Sequence, residues 1–239
     1  GKVVDKVVDF VGNYDYQLGK LKTDLQDIEF DDINRGDRPV QRIHVMNPTD
    51  EVLQPVMMHL PPYLTAHVSP SRLAPHHSGV ISIVLDSRKL RDLGLNQTSI
   101  YLGSQPGDKV AAEKEIPVSA VLLPNFDNLS GADKAVAPRM VLSNSTLDLG
   151  AFGSKKKLKG EILITNEGKS MLEIRSMQMF TMGLQVSLNK TKLQPGESAK
   201  LKITAIANEL KKSRSKKPRV LMITNDPDHA KVIVKVKVQ

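Results

Sequence analysis

Basic side chains form two dense runs in the second half of the chain, and their spacing is the clearest indication of chemistry. The runs comprise Lys155, Lys156, Lys157, Lys159, Lys211, Lys212, Arg214, Lys216, Lys217 and Arg219. Because clustered cations attract anions, the sequence predicts a binding surface for nucleic acid, acidic glycan or lipid headgroups. Two plainer interpretations stay open: a solvated basic surface, or a surface that faces the acidic first half.

The net charge of +8 is divided unevenly along the 239 residues. Residues 138–239 contain 20 Lys and Arg against 8 Asp and Glu, a net charge of +12. The totals of 34 and 26 then leave 14 and 18 for residues 1–137, a net charge of −4. No aromatic residue lies among the clustered lysines, and no helical pattern is long enough for a groove, so nucleic acid is an unlikely partner.

Other residues that could support catalysis or metal binding occur in unsuitable patterns. His76 and His77 are adjacent, without an acid at helical spacing, so a plain turn explains them better than a metal site. Asp31 and Asp32 are predicted to point to opposite faces of a strand, where they cannot share a proton. The common nucleophile, phosphate-loop, dinucleotide and zinc-protease motifs are absent, and there is no Cys. We therefore predict a protein that is not an enzyme, without catalytic residues, metal or cofactor.

Methionines form a further candidate for a binding surface. Met-rich surfaces adapt to varied partners, and Met177, Met179 and Met182 lie close together, as do Met57 and Met58. Residues 177–182 fall on a predicted strand and bend, so we predict that they belong to the core.

The elements that carry these residues are organised by an internal repeat. The segment that begins at Val45 and includes Asn47 matches the segment that begins at Ile164 and includes Asn166. Further matches continue at shifts of 119 to 121 residues, and Pro106 falls on Pro227. The nearly constant shift predicts two modules of about 100 residues each.

Alternating polar and apolar residues indicate that both modules consist of strands. Residues 79–85, 199–206 and 231–238 have the period of two that is typical of half-buried strands. Turn signals recur at short intervals, as in the β-sandwich pattern. We predict an all-β protein of two tandem sandwiches, with short helical pieces at 87–93 and 208–212. The lysines of residues 231–238 are predicted to protect a sheet edge.

Composition also predicts the domain boundaries. Residues 124–138 are rich in Asn, Asp, Gly and Pro and are predicted to form a linker. The sandwiches are then assigned to residues 23–123 and 139–239. Residues 1–22 are either an N-terminal arm that packs on the first module or the remnant of an upstream repeat.

The turns and strands of both modules resemble the bacterial family called domain of unknown function 1573. The resemblance rests on Val45–Asp50 and Leu73–Asp86 in the first module, and on Thr165–Gly168 and Leu193–Ser198 in the second. It implies immunoglobulin-like sandwiches related to major-sperm-protein and hydin-type domains, common in Bacteroidetes and usually exported. It implies no enzymatic activity. The Cys-Gly-Cys element of the family is missing from this sequence, so any role of that pair does not transfer.

These observations predict a non-catalytic exported module, periplasmic or on the cell surface, whose leader is not present in this chain. Its sheet edges and loops are predicted to bind a protein or a surface glycan. Two alternatives stay open: a periplasmic pilus-type chaperone, and a polyanion-binding module that uses the basic second domain. The sequence contains no apolar run long enough to span a membrane.

Overall fold

The computed structural model describes residues 10–213 and 215–239 and confirms the all-β fold of immunoglobulin-like sandwiches. Strands account for 48% of the chain and helices for 7%. Across the described residues, none of the helices has the length and apolar character needed to cross a bilayer.

Eighteen strands and two short α-helices are described. The strands before residue 123 are β1 (Tyr16–Leu18), β2 (Leu21–Thr23), β3 (Ile28–Ile33), β4 (Val40–Met46), β5 (Val56–Met58), β6 (Leu64–Ser69), β7 (Ser78–Leu85), β8 (Gly94–Gly103) and β9 (Glu115–Leu122). The later strands are β10 (Met140–Leu142), β11 (Thr146–Asp148), β12 (Lys157–Asn166), β13 (Leu172–Met179), β14 (Leu184–Leu188), β15 (Lys192–Leu193), β16 (Ser198–Ile206), β17 (Arg219–Thr224) and β18 (Lys231–Lys237). The helices are α1 (Gly131–Ala135) and α2 (Ala207–Lys212).

The helical predictions hold in part. A 3₁₀ helix, Ser87–Lys89, occupies the start of the predicted piece at 87–93, and α2 matches the piece at 208–212. Helix α1 lies in the predicted linker, where no helix was expected. It begins with a capping box, because Ser130 and Asp133 each bond the backbone N–H of the other.

The chain divides into two compact units. The first unit comprises residues up to Phe30, Gly36–Lys89 and Thr98–Val118. It contains a five-stranded sheet in the order β1-β2-β4-β7-β6. Alternate residues of β4 and β7, such as Ile43 and Ile83, are fully buried, which gives the period of two seen in the sequence. A four-stranded sheet follows the order β3-β9-β8-β5.

The second unit comprises Asp31–Arg35, Leu90–Gln97 and Ser119–Gln239. Its two sheets follow the orders β10-β12-β16-β14 and β11-β18-β17-β13-β15. Their inward side chains form one apolar core that includes Ile164, Leu201 and Val234, all fully buried. Burial of these side chains is the main stabilising contribution, because each is worth about 1.5–3 kcal/mol.

Asn47 and Asn166, which the internal repeat aligns, have equivalent hydrogen bonds. Both are fully buried at the end of a strand. The Asn47 amide donates to the carbonyl of Leu73 at 3.0 Å, and the Asn166 amide donates to the carbonyl of Leu193 at 2.9 Å. Each side-chain oxygen also accepts a backbone N–H two residues later along the chain. Equivalent asparagines therefore stabilise equivalent turns in the two modules.

The prediction that the lysines of residues 231–238 protect a sheet edge is wrong. Strand β18 lies inside its sheet, antiparallel to β17 and parallel to the three-residue β11, whose Thr146 pairs with Lys235. The inward Val234 and Val236 are buried, whereas Lys235 and Lys237 are exposed. The alternation therefore reflects a strand with one buried face and one solvent-exposed face.

Candidate anion-binding site

Six of the ten predicted basic residues line one cleft in the second unit, although they belong to two separate runs. They are Lys155, Lys156, Lys211, Lys216, Lys217 and Arg219. The cleft has a volume of about 1240 Å³. We call this site the basic cleft. The fold thus brings together two runs that are more than 50 residues apart.

Pairing between β12 and β16 explains this convergence. Lys157, the first residue of β12, pairs with Ile206, the last residue of β16. The turn before β12 therefore meets the start of α2, and the N–H of Ala207 donates to the carbonyl of Lys156 at 3.0 Å. Helix α2 then places Lys211 beside that turn.

A glycine allows α2 to pack closely at this place. Gly183 has a φ of +89°, and a β-carbon there would lie 2.6 Å from the backbone nitrogen of Leu210 in α2. Any larger residue would strain the backbone and displace the helix. The position of Lys211 therefore depends on Gly183.

The segment after α2 forms another wall of the basic cleft. The Lys216 ammonium donates to the carbonyl of Lys211 at 3.0 Å, and the carbonyl of Pro218 accepts the N–H of Val236 at 3.0 Å. These bonds join the segment to both α2 and β18.

Arg219 is the most buried cation of the basic cleft, with 9% of its surface exposed. Its guanidinium lies 4.0 Å from the centre of the Phe180 ring, and its Nε donates to the carbonyl of Lys217 at 3.2 Å. Stacking on an aromatic face and burial fix the orientation of this side chain. A fixed guanidinium loses little rotamer entropy when it binds an anion.

Two further cations line the basic cleft that the sequence analysis did not select. Lys235 and Lys237 lie on the exposed face of β18. The pattern that could have identified them is the alternation of lysine and valine in residues 231–238, which was interpreted as an edge strand. The lining then holds eight cations, whereas Asp148 is the one carboxylate among its described side chains.

The other predicted residues lie elsewhere. Lys157 and Lys159 belong to β12, and both are exposed. Lys212 is exposed on α2 and does not line the basic cleft. Arg214 lies outside the described residues.

The histidine pair occupies a turn, as expected. His76 has a φ of +60°, and Gly196, aligned with it by the repeat, has a φ of +84°. The His76 ring contacts the Asp50 carboxylate at 2.9 Å, and both side chains are well exposed. In the part of the chain that the structure describes, no group of three His, Asp or Glu side chains is arranged to hold a metal ion.

The core prediction for the methionines is partly wrong. Met177 and Met179 pack against the core of the second unit, but Met182 is 57% exposed. The difference arises because Met182 follows the end of β13 and precedes Gly183 in a turn, where the alternation no longer holds.

The comparisons with known proteins support an immunoglobulin-like fold in the second half of the chain. Residues 138–239 match a family model described as the HYDIN/CFA65/VesB-like, Ig-like domain. This match agrees with the predicted fold, but it does not name the domain of unknown function 1573. No curated protein is detectably similar to the chain in sequence.

Several solved structures are similar to the chain. A protein of unknown function from Porphyromonas gingivalis W83 has a TM-score of 0.68 and 24% identity, over 92% of this chain and 100% of that one. The CupB2 chaperone of Pseudomonas aeruginosa has a TM-score of 0.31 and 11% identity, over 89% and 98%. The secreted serine protease VesC from Vibrio cholerae has a TM-score of 0.33 and 12% identity, over 86% and 50%. The first similarity shows the fold, and the other two are too weak to indicate a function.

Proposed function

We propose that the protein is a non-catalytic binding module that holds an acidic polymer in the basic cleft. The observation that carries this proposal is the convergence of two basic runs on one concave site around the buried Arg219. Like charges gathered in this way repel one another, and a bound polyanion relieves that repulsion.

The composition of the lining favours electrostatic binding. Seven lysines supply hydrated charges at the walls, and Arg219 supplies one fixed positive charge. Each exposed charge contributes little binding energy by itself. A polymer that contacts several lysines at once therefore binds more tightly than a small anion that contacts one. Binding of this kind weakens as salt rises, since counterions screen and compete.

A titration of the full chain with heparin at two salt concentrations tests the proposal. The double variant Lys211→Glu with Lys217→Glu reverses two exposed charges of the lining, and neither ammonium group donates a hydrogen bond within the described residues. We expect its heparin affinity to fall by about tenfold or more.

A matched control reverses the same number of charges at the other end of β12. Lys169 and Lys192 are exposed, belong to the second unit and do not line the basic cleft. The variant Lys169→Glu with Lys192→Glu should keep most of the heparin affinity. Equal losses in both variants, or no binding by the native chain at low salt, would reject the proposal.

A second candidate function is contact with a protein through a sheet edge. Within residues 10–213 and 215–239, β6 pairs with β7 alone and β14 pairs with β16 alone, so each forms one edge of its sheet. An edge strand presents backbone groups to which an extended peptide can add. We also propose that the module is exported, because the family that its turns resemble is usually exported. Enrichment of the chain in an envelope fraction tests that localisation.

A further inference from the structure

The exposed face of the sheet beside the basic cleft carries a second set of polar and basic side chains. In β12, β16 and β14 every second residue points outward, away from the core. Nine of these outward residues are Lys157, Lys159, Glu161, Leu163, Gln185, Ser187, Lys200, Lys202 and Thr204. We call this surface the outer sheet face.

Strand register arranges these side chains in rows. Lys159 lies opposite Thr204, which lies opposite Gln185 on the next strand. In the neighbouring row Glu161 lies opposite Lys202, which lies opposite Ser187.

These two rows line a shallow depression of about 570 Å³. The next row pairs Leu163 with Lys200. Each row therefore carries one lysine beside hydroxyl, amide or carboxylate groups, or beside a leucine.

The outer sheet face adjoins the basic cleft. Lys156 lines the basic cleft, and Lys157, the next residue, opens the outer sheet face. Lys157 and Leu163 are six residues apart, which spans about 20 Å along the strand. The two surfaces therefore meet at adjacent residues of the chain.

The mixture of groups on the outer sheet face distinguishes between kinds of polyanion. The lysines require anionic groups, but Glu161 repels a polymer that carries only charge. A carboxylate accepts hydrogen bonds from hydroxyl donors, and Gln185, Ser187 and Thr204 donate and accept. A chain with both acidic groups and free hydroxyls satisfies all of these side chains. Acidic polysaccharides have this chemistry, whereas acidic polypeptides lack a hydroxyl on every unit.

We propose that the ligand is an acidic polysaccharide that fills the basic cleft and continues across the outer sheet face. This inference rests on the proposed function of the basic cleft. It adds a second subsite, with Lys159, Lys200 and Lys202 as its cations and Glu161 as its acceptor for sugar hydroxyls.

Hyaluronan oligosaccharides of increasing length test the second subsite. We expect the native chain to bind long oligosaccharides more tightly than short ones. The variant Lys159→Gln with Lys200→Gln should lose about threefold per lysine for long oligosaccharides and bind short ones as the native chain does. Unchanged binding of short oligosaccharides also shows that the variant is folded. A native chain whose affinity does not depend on length would overturn the second subsite.

Replacement of Glu161 should change the affinity for an acidic polysaccharide and for an acidic polypeptide in opposite directions. Glu161→Ala removes a hydrogen-bond acceptor and also removes a negative charge. We expect weaker binding of long hyaluronan and tighter binding of polyglutamate. Tighter binding of both polymers would overturn the assignment to a polysaccharide and indicate an acidic polypeptide.

The results separate the two proposals. If Lys211→Glu with Lys217→Glu loses heparin binding but the variant at Lys159 and Lys200 binds long oligosaccharides normally, the basic cleft stands and the second subsite fails. If the native chain does not bind heparin at low salt, the proposed function itself fails.

Discussion

Replacement of Asn166 by alanine should destabilise the second unit substantially. The side chain is fully buried and makes four hydrogen bonds, to the carbonyls of Ser170 and Leu193 and from the N–H groups of Gly168 and Arg139. Leu193 is fully buried, so water does not replace the lost donor, at a cost of about 1–3 kcal/mol. The other three groups lie nearer to solvent and lose about 0.5 kcal/mol each. We expect a total loss of about 3 kcal/mol.

Hydrogen exchange followed by mass spectrometry measures this loss in each unit separately. Asn166→Ala should increase exchange in β12, β13 and β16 by about 100-fold and leave β4 and β7 unchanged. Asn47→Ala should show the reverse, because Asn47 makes the corresponding bonds in the first unit.

Asn189 supplies the control for this experiment. Its side chain is exposed and accepts one bond, from the N–H of Lys200 at 2.9 Å. Asn189→Ala should therefore cost less than about 1 kcal/mol. If Asn166→Ala and Asn189→Ala increase exchange equally, the buried amide of Asn166 does not stabilise the turn more than an exposed one, and the reasoning is refuted.

Three further predictions concern single side chains. A hydrogen bond from the backbone N–H of Ser104 is the main cause that lowers the pKa of Asp108 to about 2. The ionised carboxylate therefore stabilises the folded state above pH 4, and this stabilisation disappears as the pH falls towards 2. Asp108→Asn should lower the free energy of urea unfolding by about 1 to 2 kcal/mol at pH 7 and hardly at pH 2, and an equal loss at both values contradicts this. Gly183→Ala should destabilise the second unit by about 1–3 kcal/mol and weaken heparin binding, and a variant with unchanged melting and binding contradicts the close packing of α2. Phe180→Leu should cost about 1 kcal/mol more in the native chain than in an Arg219→Gln background, a difference that vanishes if the ring does not support the guanidinium.

Local patterns in the sequence were sufficient to predict the fold class. Alternation predicts which side chains of β7, β16 and β18 are buried, because a strand turns successive residues to opposite faces. The repeated asparagine marks the end of a strand in both modules. These signals depend on neighbouring residues, so a single sequence contains them.

The basic cleft depends on contacts between distant residues, and for that reason the sequence predicted six of its eight cations but not their arrangement. The two basic runs meet because Lys157 pairs with Ile206, and no local pattern specifies that register. Arg219 resembles its exposed basic neighbours in the sequence. Its burial follows from Phe180, a ring 39 positions earlier in the chain.

The prediction that residues 231–238 form a sheet edge failed for the same reason. A three-residue β11 is too short to show alternation, and its parallel pairing with β18 joins residues far apart. A pattern of lysine and valine is the same on an edge strand and on an inner strand with one exposed face.

The inner position of β18 also governs how the second unit acquires its structure. Thr146 and Lys235 are separated by 89 positions, so the chain must close a very large loop before this pair forms. Such distant pairing slows folding relative to proteins rich in local contacts. Until β18 pairs, one side of β17 is unpaired and part of the apolar core is exposed to water. We expect the exposed lysines of β18 to oppose aggregation of this segment before it pairs.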